Sequence, residues 1–176
     1  LNETRRLSKM ITELMDLARS DANRSKINKA KTNMEEVAKE VVIPYKEMAE
    51  LQNKKMTLEI KCDRELNVDK NKIKQLLVIL LDNAIKYTEE NDVIDVDIHN
   101  HEDKLHIVVK DTGIGISDEG LKHIFERFYR EDKARSRSKG GTGLGLSIAH
   151  TIVKSHGGSI KLTHNKPKGT VVTVKI

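Results

Sequence analysis

The feature that most constrains the fold is an aliphatic helix in the middle of the chain, followed at once by two strands. Residues 70–88, KNKIKQLLVILLDNAIKYT, carry one face of apolar side chains at helical spacing: Ile73, Leu76, Leu77, Leu80, Leu81 and Ala84. Asp69 precedes this segment as a candidate N-cap. Two segments beyond it, at 93–98 and 104–109, alternate apolar and polar residues with the period of two that is typical of strands. The helix must be buried, and the strands predict a sheet beside it.

Patterns on either side of this unit predict further strands and helices. Residues 55–61, KMTLEIK, alternate like a strand, and Ser117 is placed to cap a short helix. A last helix is stopped by Gly157 and Gly158, and the chain ends in a hairpin pattern with turn residues Asn165, Pro167 and Gly169. Because hairpins dominate, we predict an α/β fold, a two-layer sandwich of mixed β-sheet and helices.

Another helix is predicted to begin at Thr32, which has a capping-box spacing to Glu35. Its inner face would carry Val37, Val41 and Met48. Pro44 falls inside this segment and removes a backbone donor, so we expect a kink or a break near Ile43.

The first residues differ from the rest of the chain. Within residues 1–22 a heptad-like seam runs along an otherwise charged helix, formed by Leu7, Ile11, Leu14 and Ala18. A single helix cannot bury such a seam, so this N-terminal bundle helix requires a partner helix. Residues 23–31 are polar and small and predict a linker, which leaves 32–176 as the second domain.

Composition excludes several classes of function. Aromatic residues make up only 3% of the chain, so the core must be aliphatic and few rings are available to stack on bases. The net charge of +5 arises from 32 basic residues interleaved with 27 acidic ones, which argues against nucleic-acid binding. Cys62 is the single cysteine, so no internal disulfide forms. No run of 18 apolar residues occurs, and the start at Leu1 resembles a cut from a longer protein, so a membrane span could lie outside these residues.

The segment KGGTGLGLSIAH, residues 139–150, places glycines directly before a helix. Such a helix start presents free N–H groups and a positive dipole end, which favour an anion. The spacing fits neither a Walker loop, because Leu146 follows Gly145, nor a dinucleotide fingerprint, because no strand precedes the glycines. The charged residues upstream therefore predict a basic, flexible lid that binds phosphate together with the helix N-terminus.

Three other segments place polar residues where the apolar pattern does not require them. In DNAIKY, the side chains of Asn83, Lys86 and Tyr87 share one helical face, and the Asn83 amide could bind Mg²⁺ or be satisfied by nearby backbone. In DTGIGI, Asp111 ends a strand as an acceptor suited to an amino group such as adenine N6, although a plain strand-to-loop turn has the same composition.

The third segment is FERFYR, in which Phe125 and Phe128 are predicted to be anchors. Arg130 stands beside them and is the candidate for a γ-phosphate contact. The cations that follow are predicted to be solvated lid charges: Lys133, Arg135, Arg137 and Lys139.

In this order, NAIKYT, DTGIGI, FERFYR and GGTGLGLSIA, followed by HGG and a terminal hairpin, resemble the N, G1, F and G2 boxes of sensor histidine kinases. The resemblance covers the chain from about residue 1 to its end. It implies a Bergerat-type fold that binds ATP and Mg²⁺ and transfers the γ-phosphoryl group to a histidine, for relay to an aspartate of a response regulator. It also implies a longer, homodimeric protein anchored in the cell membrane, with this part in the cytoplasm. Residues 1–22 would then be part of the second helix of the dimerisation and phosphotransfer domain, and residues 32–176 the catalytic ATP-binding domain.

The resemblance also implies residue roles. Asn83 corresponds to the Mg²⁺ ligand, and Asn83, Lys86 and Arg130 to the catalytic residues. Asp111 would recognise adenine, and the glycines of the fourth segment would wrap the triphosphate. The implied nucleotide-binding set is Asn83, Lys86, Tyr87, Asp111, Gly113, Gly115, Ile116, Arg130, Gly141, Thr142, Gly143, Leu144, Gly145 and Leu146.

Two departures from the family pattern shape the expected chemistry. Position 79 is Ile, where many histidine kinases carry Asn and related ATPases carry an acidic residue that activates water. Ile79 cannot act as a general base, so we expect phosphoryl transfer rather than efficient hydrolysis. None of the seven histidines fits the phosphoacceptor well: His101 precedes Glu102 but is predicted to lie in a turn between strands. The acceptor is therefore expected on a helix preceding this chain.

Two alternatives remain open. One is an ATPase or chaperone-like machine on the same fold, which would release phosphate steadily without an acceptor. The other is an interaction module with a vestigial pocket, which would bind no Mg-ATP.

Overall fold

The computed structural model describes residues 4, 7, 8, 11, 12, 14, 15, 27–131 and 141–176. Its helices and strands follow one another as β1 (Ala30–Thr32), α1 (Met34–Leu51), β2 (Lys55–Lys61), β3 (Leu66–Val68), α2 (Lys70–Tyr87), β4 (Val93–His101), β5 (Lys104–Asp111), α3 (Asp118–His123), α4 (Gly145–Ser155), β6 (Ser159–His164) and β7 (Thr170–Lys175).

The main sheet has five strands in the order β2-β4-β5-β7-β6. Strands β2 and β4 run parallel, and the other neighbours run antiparallel, so the sheet is mixed. Strands β1 and β3 form a separate antiparallel pair. The prediction of a two-layer sandwich of mixed β-sheet and helices is confirmed.

The core between the sheet and the helices is almost entirely aliphatic, as the low aromatic content requires. All six apolar residues predicted for the face of α2 are buried. They meet the inward-facing residues of β4 and β5, which are fully or almost fully buried: Ile94, Val96, Ile98, Leu105, Ile107 and Val109. Asp69 caps α2 as predicted, because its Oδ1 accepts the N–H groups of Asn71 and Lys72, each at 3.1 Å.

Helix α1 differs from its prediction at three points. Its N-cap is Asn33, whose Oδ1 accepts the N–H groups of Glu35 and Glu36 at 3.0 and 3.3 Å, while Thr32 ends β1. Pro44 lies inside the helix without ending it, with buried apolar residues on both sides of the proline, so the expected break does not occur and the kink stays a prediction. Met48 is 41% exposed, and the buried position is the adjacent Ala49.

The described residues between 4 and 15 are helical. Leu7, Ile11 and Leu14 of the predicted seam are between 41% and 59% exposed, whereas Ala18 lies outside the described residues. Ala30 and Lys31, the end of the predicted linker, belong to β1. The boundaries of the two domains remain a prediction. In the described part of the chain, no helix is long and apolar enough to cross a membrane.

Candidate functional site

A cavity of about 1480 Å³ opens between α2, the loop after β5, residues 129–131 and the start of α4. Twelve of the fourteen residues expected to bind nucleotide line it: Asn83, Lys86, Tyr87, Asp111, Gly115, Ile116, Arg130, Gly141, Thr142, Gly143, Gly145 and Leu146. Gly113 and Leu144 do not line it. Leu144 is fully buried in the core, and Gly113 is buried beneath the cavity wall.

Asp111 ends β5 and is only 7% exposed. Its Oδ1 accepts the backbone N–H of Gly113 at 2.9 Å and that of Thr170 at 3.3 Å. No hydrogen bond within the described residues ends on Oδ2, so this atom can accept from a ligand. Burial raises the pKa of Asp111, and the Asp92 carboxylate adds to the rise, while the two backbone donors oppose it. The carboxylate is thus a desolvated acceptor in the cavity wall.

The loop that carries Asp111 is clamped between α2 and the β6–β7 turn. A Cβ atom on Gly113 would lie 2.2 Å from the carbonyl oxygen of Tyr87, so only glycine fits there. On the other side, a Cβ atom on Gly169 would lie 1.9 Å from the carbonyl oxygen of Asp111. That same oxygen accepts a hydrogen bond from Asn165 Nδ2 at 2.9 Å. The hairpin turn therefore fixes the position of the carboxylate.

Sequence reasoning missed this role of Asn165, Gly169 and Thr170. The turn itself was visible as a run of turn residues. Its contact with Asp111 follows from the sheet order, because β7 lies beside β5 across more than fifty intervening residues. No local pattern reveals such a pairing.

The end of α2 supplies the polar side chains of a second wall. Asn83, Lys86 and Tyr87 are half-buried and line the cavity together, as their spacing on one helical face requires. A Cβ atom on Gly141 would lie 2.0 Å from Nζ of Lys86, so the lysine reaches across to the glycine segment. Among the described residues, no three His, Cys, Asp or Glu side chains form a metal site.

Arg130 brings two buried guanidinium nitrogen atoms to the cavity. Among the described residues, neither Nε nor Nη2 of Arg130 has a hydrogen-bond partner, although both atoms are buried. An unpaired buried donor costs about 1–3 kcal/mol, and more when it is charged. Such a planar guanidinium is suited to donate two parallel hydrogen bonds to two oxygens of an anion such as a phosphate.

Of the two predicted anchors beside Arg130, only one packs. Phe125 packs against the core and lies 5.0 Å from the ring of His150. Phe128 is 55% exposed, so the prediction that it anchors this segment is wrong. The anchor at this position is backbone: Phe128 has a φ of 63°, and its N–H donates to the carbonyl oxygen of Gly143 at 2.9 Å. The predicted lid cations at 133, 135, 137 and 139 lie outside the described residues.

The glycine segment closes the cavity at the start of α4. Gly143 has a φ of +77°, and a Cβ atom there would lie 2.9 Å from the backbone of Phe128. Helix α4 begins with Leu144 as its N-cap and has no capping side chain. The first N–H groups of α4 are therefore available to an anion. Ile79 of α2 lies beside this helix start, 3.4 Å from the Cβ position of Gly145.

Lys54 is a further lining residue that the sequence pattern did not reveal. Its side chain is buried, and Nζ donates to the carbonyl oxygen of Ile85 at 2.6 Å. A cation at the C-terminal end of a helix is favourable because it meets the negative end of the helix dipole. Lys54 therefore supports the last turn of α2, which carries the lining residues Lys86 and Tyr87.

Comparison with known proteins relates this cavity to a family. Residues 68–176 match the family model for histidine kinase-, DNA gyrase B- and HSP90-like ATPases. The chain is 42% identical over its whole length to the sensor protein CiaH of Streptococcus pneumoniae serotype 4, and 36% identical over its whole length to the sensor protein SrrB of Staphylococcus aureus. It spans only 39% and 30% of the length of these two relatives.

A solved structure shows the same likeness. The histidine kinase ThkA, in its complex with the response regulator protein TrrA, is 26% identical to the chain and superposes with a TM-score of 0.75. The match covers 99% of this chain and 48% of that one.

Proposed function

The chain belongs to the histidine kinase-, DNA gyrase B- and HSP90-like ATPase family, and we propose that it is the ATP-binding catalytic part of a sensor histidine kinase. The proposal rests above all on Arg130, whose buried and unpaired Nε and Nη2 atoms stand in the same cavity as the acceptor Oδ2 of Asp111. An anion can accept hydrogen bonds from Arg130, and an amino group can donate one to Oδ2 of Asp111. A nucleotide triphosphate with an adenine base carries both.

Each wall of the cavity has a part in this proposal. Asp111 accepts the amino group of adenine, and Arg130 together with the first N–H groups of α4 holds the phosphates. Lys86 reaches the glycine segment and neutralises charge beside it. Because phosphoryl transfer needs little covalent help, positioning and charge neutralisation by these groups supply most of the catalysis.

We further propose that Mg²⁺ accompanies the nucleotide. The residues present fit such an ion: Asn83 offers one amide oxygen, and Mg²⁺ takes its remaining ligands from phosphates and water. Bound there, the ion would offset the negative charge of the phosphates. The absence of an acidic cluster among the described residues agrees with a site that depends on the nucleotide.

The phosphoacceptor is proposed to be a histidine on another helix of the longer protein, from the same or a paired protomer. Ser8 and Thr12 of the N-terminal helix line the cavity, so helical structure before residue 15 reaches the nucleotide site. The exposed side chains of Leu7, Ile11 and Leu14 are suited to a bundle within a homodimer. The complex of ThkA with TrrA supports a response regulator as the recipient of the phosphoryl group. The membrane anchor would lie outside this chain.

Binding of the nucleotide is tested by calorimetry with Mg-ATP. The native chain is expected to bind one equivalent, and Asp111→Asn to bind about ten- to a hundredfold more weakly, because a hydrogen bond to a charged group contributes roughly 1.5–3 kcal/mol. Asp118→Asn is the matched control, since Asp118 is exposed and outside the cavity. Equal affinity of the Asp111 and Asp118 variants would remove Asp111 from base recognition, and no binding by the native chain would favour the vestigial module.

Phosphoryl transfer is tested with a longer chain that includes the preceding helix. Incubation with γ-labelled ATP should label a histidine, while phosphate release without transfer stays near background because Ile79 cannot activate water. Steady release of phosphate by a chain that labels no histidine would identify an ATPase instead.

A further inference from the structure

Three histidines cluster on the face of the sheet opposite the helices, away from the nucleotide cavity. His99 and His101 lie two residues apart on β4, and His106 faces His99 from β5. Their neighbours Ile98, Leu105 and Ile107 point into the core and are fully buried, so the histidines occupy the outer face by strand alternation. Neither the nucleotide site nor the phosphoryl transfer uses these side chains.

The rings gather around His106. The ring centroid of His99 lies 5.1 Å from that of His106, and the centroid of His101 lies 6.4 Å from it. Two imidazoles bound to one Zn²⁺ through bonds of about 2.1 Å, at a tetrahedral angle, place their centroids about 5 Å apart. The centroids of His99 and His106 already have this spacing, whereas the centroids of His101 and His106 must approach each other by roughly 1 Å.

The nitrogen atoms do not yet converge, because the rings of His99 and His106 are stacked with an interplanar angle of 18°. This agrees with the finding that the described residues hold no preformed group of three ligands. Convergence requires the rings of His101 and His106 to rotate about χ2, a torsion with a broad and shallow profile, while His99 keeps its contact with Asp97. His101 is exposed and His99 and His106 are half-buried, so solvent is available on the side toward which they would turn.

A carboxylate already stands behind one of the three rings. Nδ1 of His99 lies 2.8 Å from Oδ1 of Asp97, and since a carboxylate only accepts, Nδ1 carries a proton and Nε2 is the nitrogen left to bind a metal. A carboxylate behind a ligating histidine is the usual arrangement at metal sites.

Neighbouring cations weigh against a divalent ion. Lys61, Lys104 and Lys175 are the cross-strand partners of His99, His101 and His106 respectively. Lys61 is already paired with Glu59, and Lys104 and Lys175 are exposed, so their charges are screened by solvent. Their repulsion lowers the affinity of the site without occupying a ligand position.

We propose that His99, His101 and His106 form a binding site for a divalent transition-metal ion of the imidazole-preferring class, such as Zn²⁺, on the outer face of the sheet. Three histidines leave a fourth, solvent-facing position for water. The carboxylate of Asp97 orients the ring of His99 from behind.

The probe is Zn²⁺ added to the metal-free chain without nucleotide, followed by calorimetry and by the histidine side-chain signals in NMR. One equivalent should bind at pH 7.5, and the ring signals of the three histidines should shift while those of His123 and His164 do not. His101→Gln should weaken binding more than about tenfold, and Asp97→Asn about tenfold through the lost orientation. Binding should weaken below about pH 6, because protons compete for the imidazoles.

His164→Gln is the matched control, since His164 is a strand histidine paired with the exposed carboxylate of Asp118 at 2.8 Å and lies outside the cluster. It should bind Zn²⁺ as the native chain does. Because His101 is exposed, His101→Gln should keep its stability, which thermal unfolding verifies. Failure to bind one equivalent, or equal affinity in the native chain and His101→Gln, would overturn the proposal.

Discussion

The backbone N–H of Asp69 donates a hydrogen bond to Nε2 of His156, with the two nitrogen atoms 3.1 Å apart. The bond joins the start of α2 to the end of α4, the two helices whose other ends line the nucleotide cavity. On its other side, Nδ1 of His156 donates to the carbonyl oxygen of Ile152 at 2.8 Å. Oδ2 of Asp69 accepts a hydrogen bond from the backbone N–H of Asn28 at 3.0 Å, so the segment that leads into β1 is held at the same point. His156 is therefore neutral in the folded state.

This arrangement predicts a pH dependence of stability. Burial lowers the pKa of His156 from its ordinary value, aided by Lys29 and opposed by the bond to Ile152 and the charge of Asp69. The unfolded chain takes up its proton near pH 6.5, and the folded chain only at a lower pH. The contribution to the free energy of unfolding is thus complete above about pH 6.5 and is lost as the pH falls toward the lowered pKa.

His156→Gln tests this contribution by urea unfolding between pH 7.5 and pH 5. The variant should lose about 1 kcal/mol at pH 7.5 and show a flatter profile than the native chain. His123→Gln is the control, because hydrogen bonds to Glu126 and Glu119 raise the pKa of His123. The contribution of His123 to the free energy of unfolding therefore falls as the pH rises, opposite to that of His156. Its removal should not flatten the profile. Parallel profiles for His156→Gln and the native chain would contradict the assignment.

Arg130→Gln should affect stability and nucleotide affinity in opposite directions. Without nucleotide, the change removes buried donors that lack partners, so the free energy of unfolding should stay equal or rise. With Mg-ATP, affinity should fall about ten- to a hundredfold, because a charge-assisted contact is lost. Affinity for Mg-ADP should change little if the contact is to the γ-phosphate.

The exposed Arg64 provides the control for this change. Arg64→Gln should leave both ATP and ADP affinity unchanged. An Arg130 variant that loses ADP and ATP affinity equally would show that the guanidinium does not distinguish the γ-phosphate.

Gly169→Ala should be far more destabilising than Gly157→Ala. Both glycines have positive φ, at +109° and +81°, so both substitutions carry backbone strain of about 1 kcal/mol. Only at Gly169 would the Cβ atom also collide with the carbonyl oxygen of Asp111, whereas at Gly157 it meets open space. Thermal unfolding of the two variants measures the difference, and equal loss of stability would show that the turn does not press on the Asp111 loop.

Lys54→Met should weaken the end of α2 while keeping the aliphatic part of the side chain. The Ile85 carbonyl would lose the closer of its two side-chain donors and keep only Oγ1 of Thr88 at 3.2 Å, which costs about 1 kcal/mol. Amide exchange along residues 80–88 should accelerate, and Mg-ATP affinity should fall with it. The neighbouring Lys55 is exposed, so Lys55→Met should change neither quantity.

Local patterns predicted the elements that depend on neighbours in sequence. The six-residue apolar face of α2, the Asp69 cap and the alternation in β4 and β5 are all confirmed. Where two local signals competed, the outcome depended on packing. Asn33 displaced Thr32 as the cap of α1 because Thr32 was already paired in β1.

The site was predictable only where its parts follow one another along the chain. Glycine runs and helical spacing indicated Asn83, Lys86 and Gly143, which the fold brings to one cavity. The clamp on Asp111 by Asn165 and Gly169 depends on the strand order, and the packing of Lys54 depends on where α1 ends beside α2. These relations arise from the assembled sheet and helices, so no window of sequence contains them.

A solved complex of the chain with Mg²⁺ and a non-hydrolysable ATP analogue tests the proposed nucleotide site directly. We expect the adenine amino group within hydrogen-bond distance of Oδ2 of Asp111, the γ-phosphate at Nε or Nη2 of Arg130, and the metal on the amide oxygen of Asn83. A nucleotide bound outside the cavity between α2 and α4, or bound within it with its base away from Asp111, would overturn the proposed site.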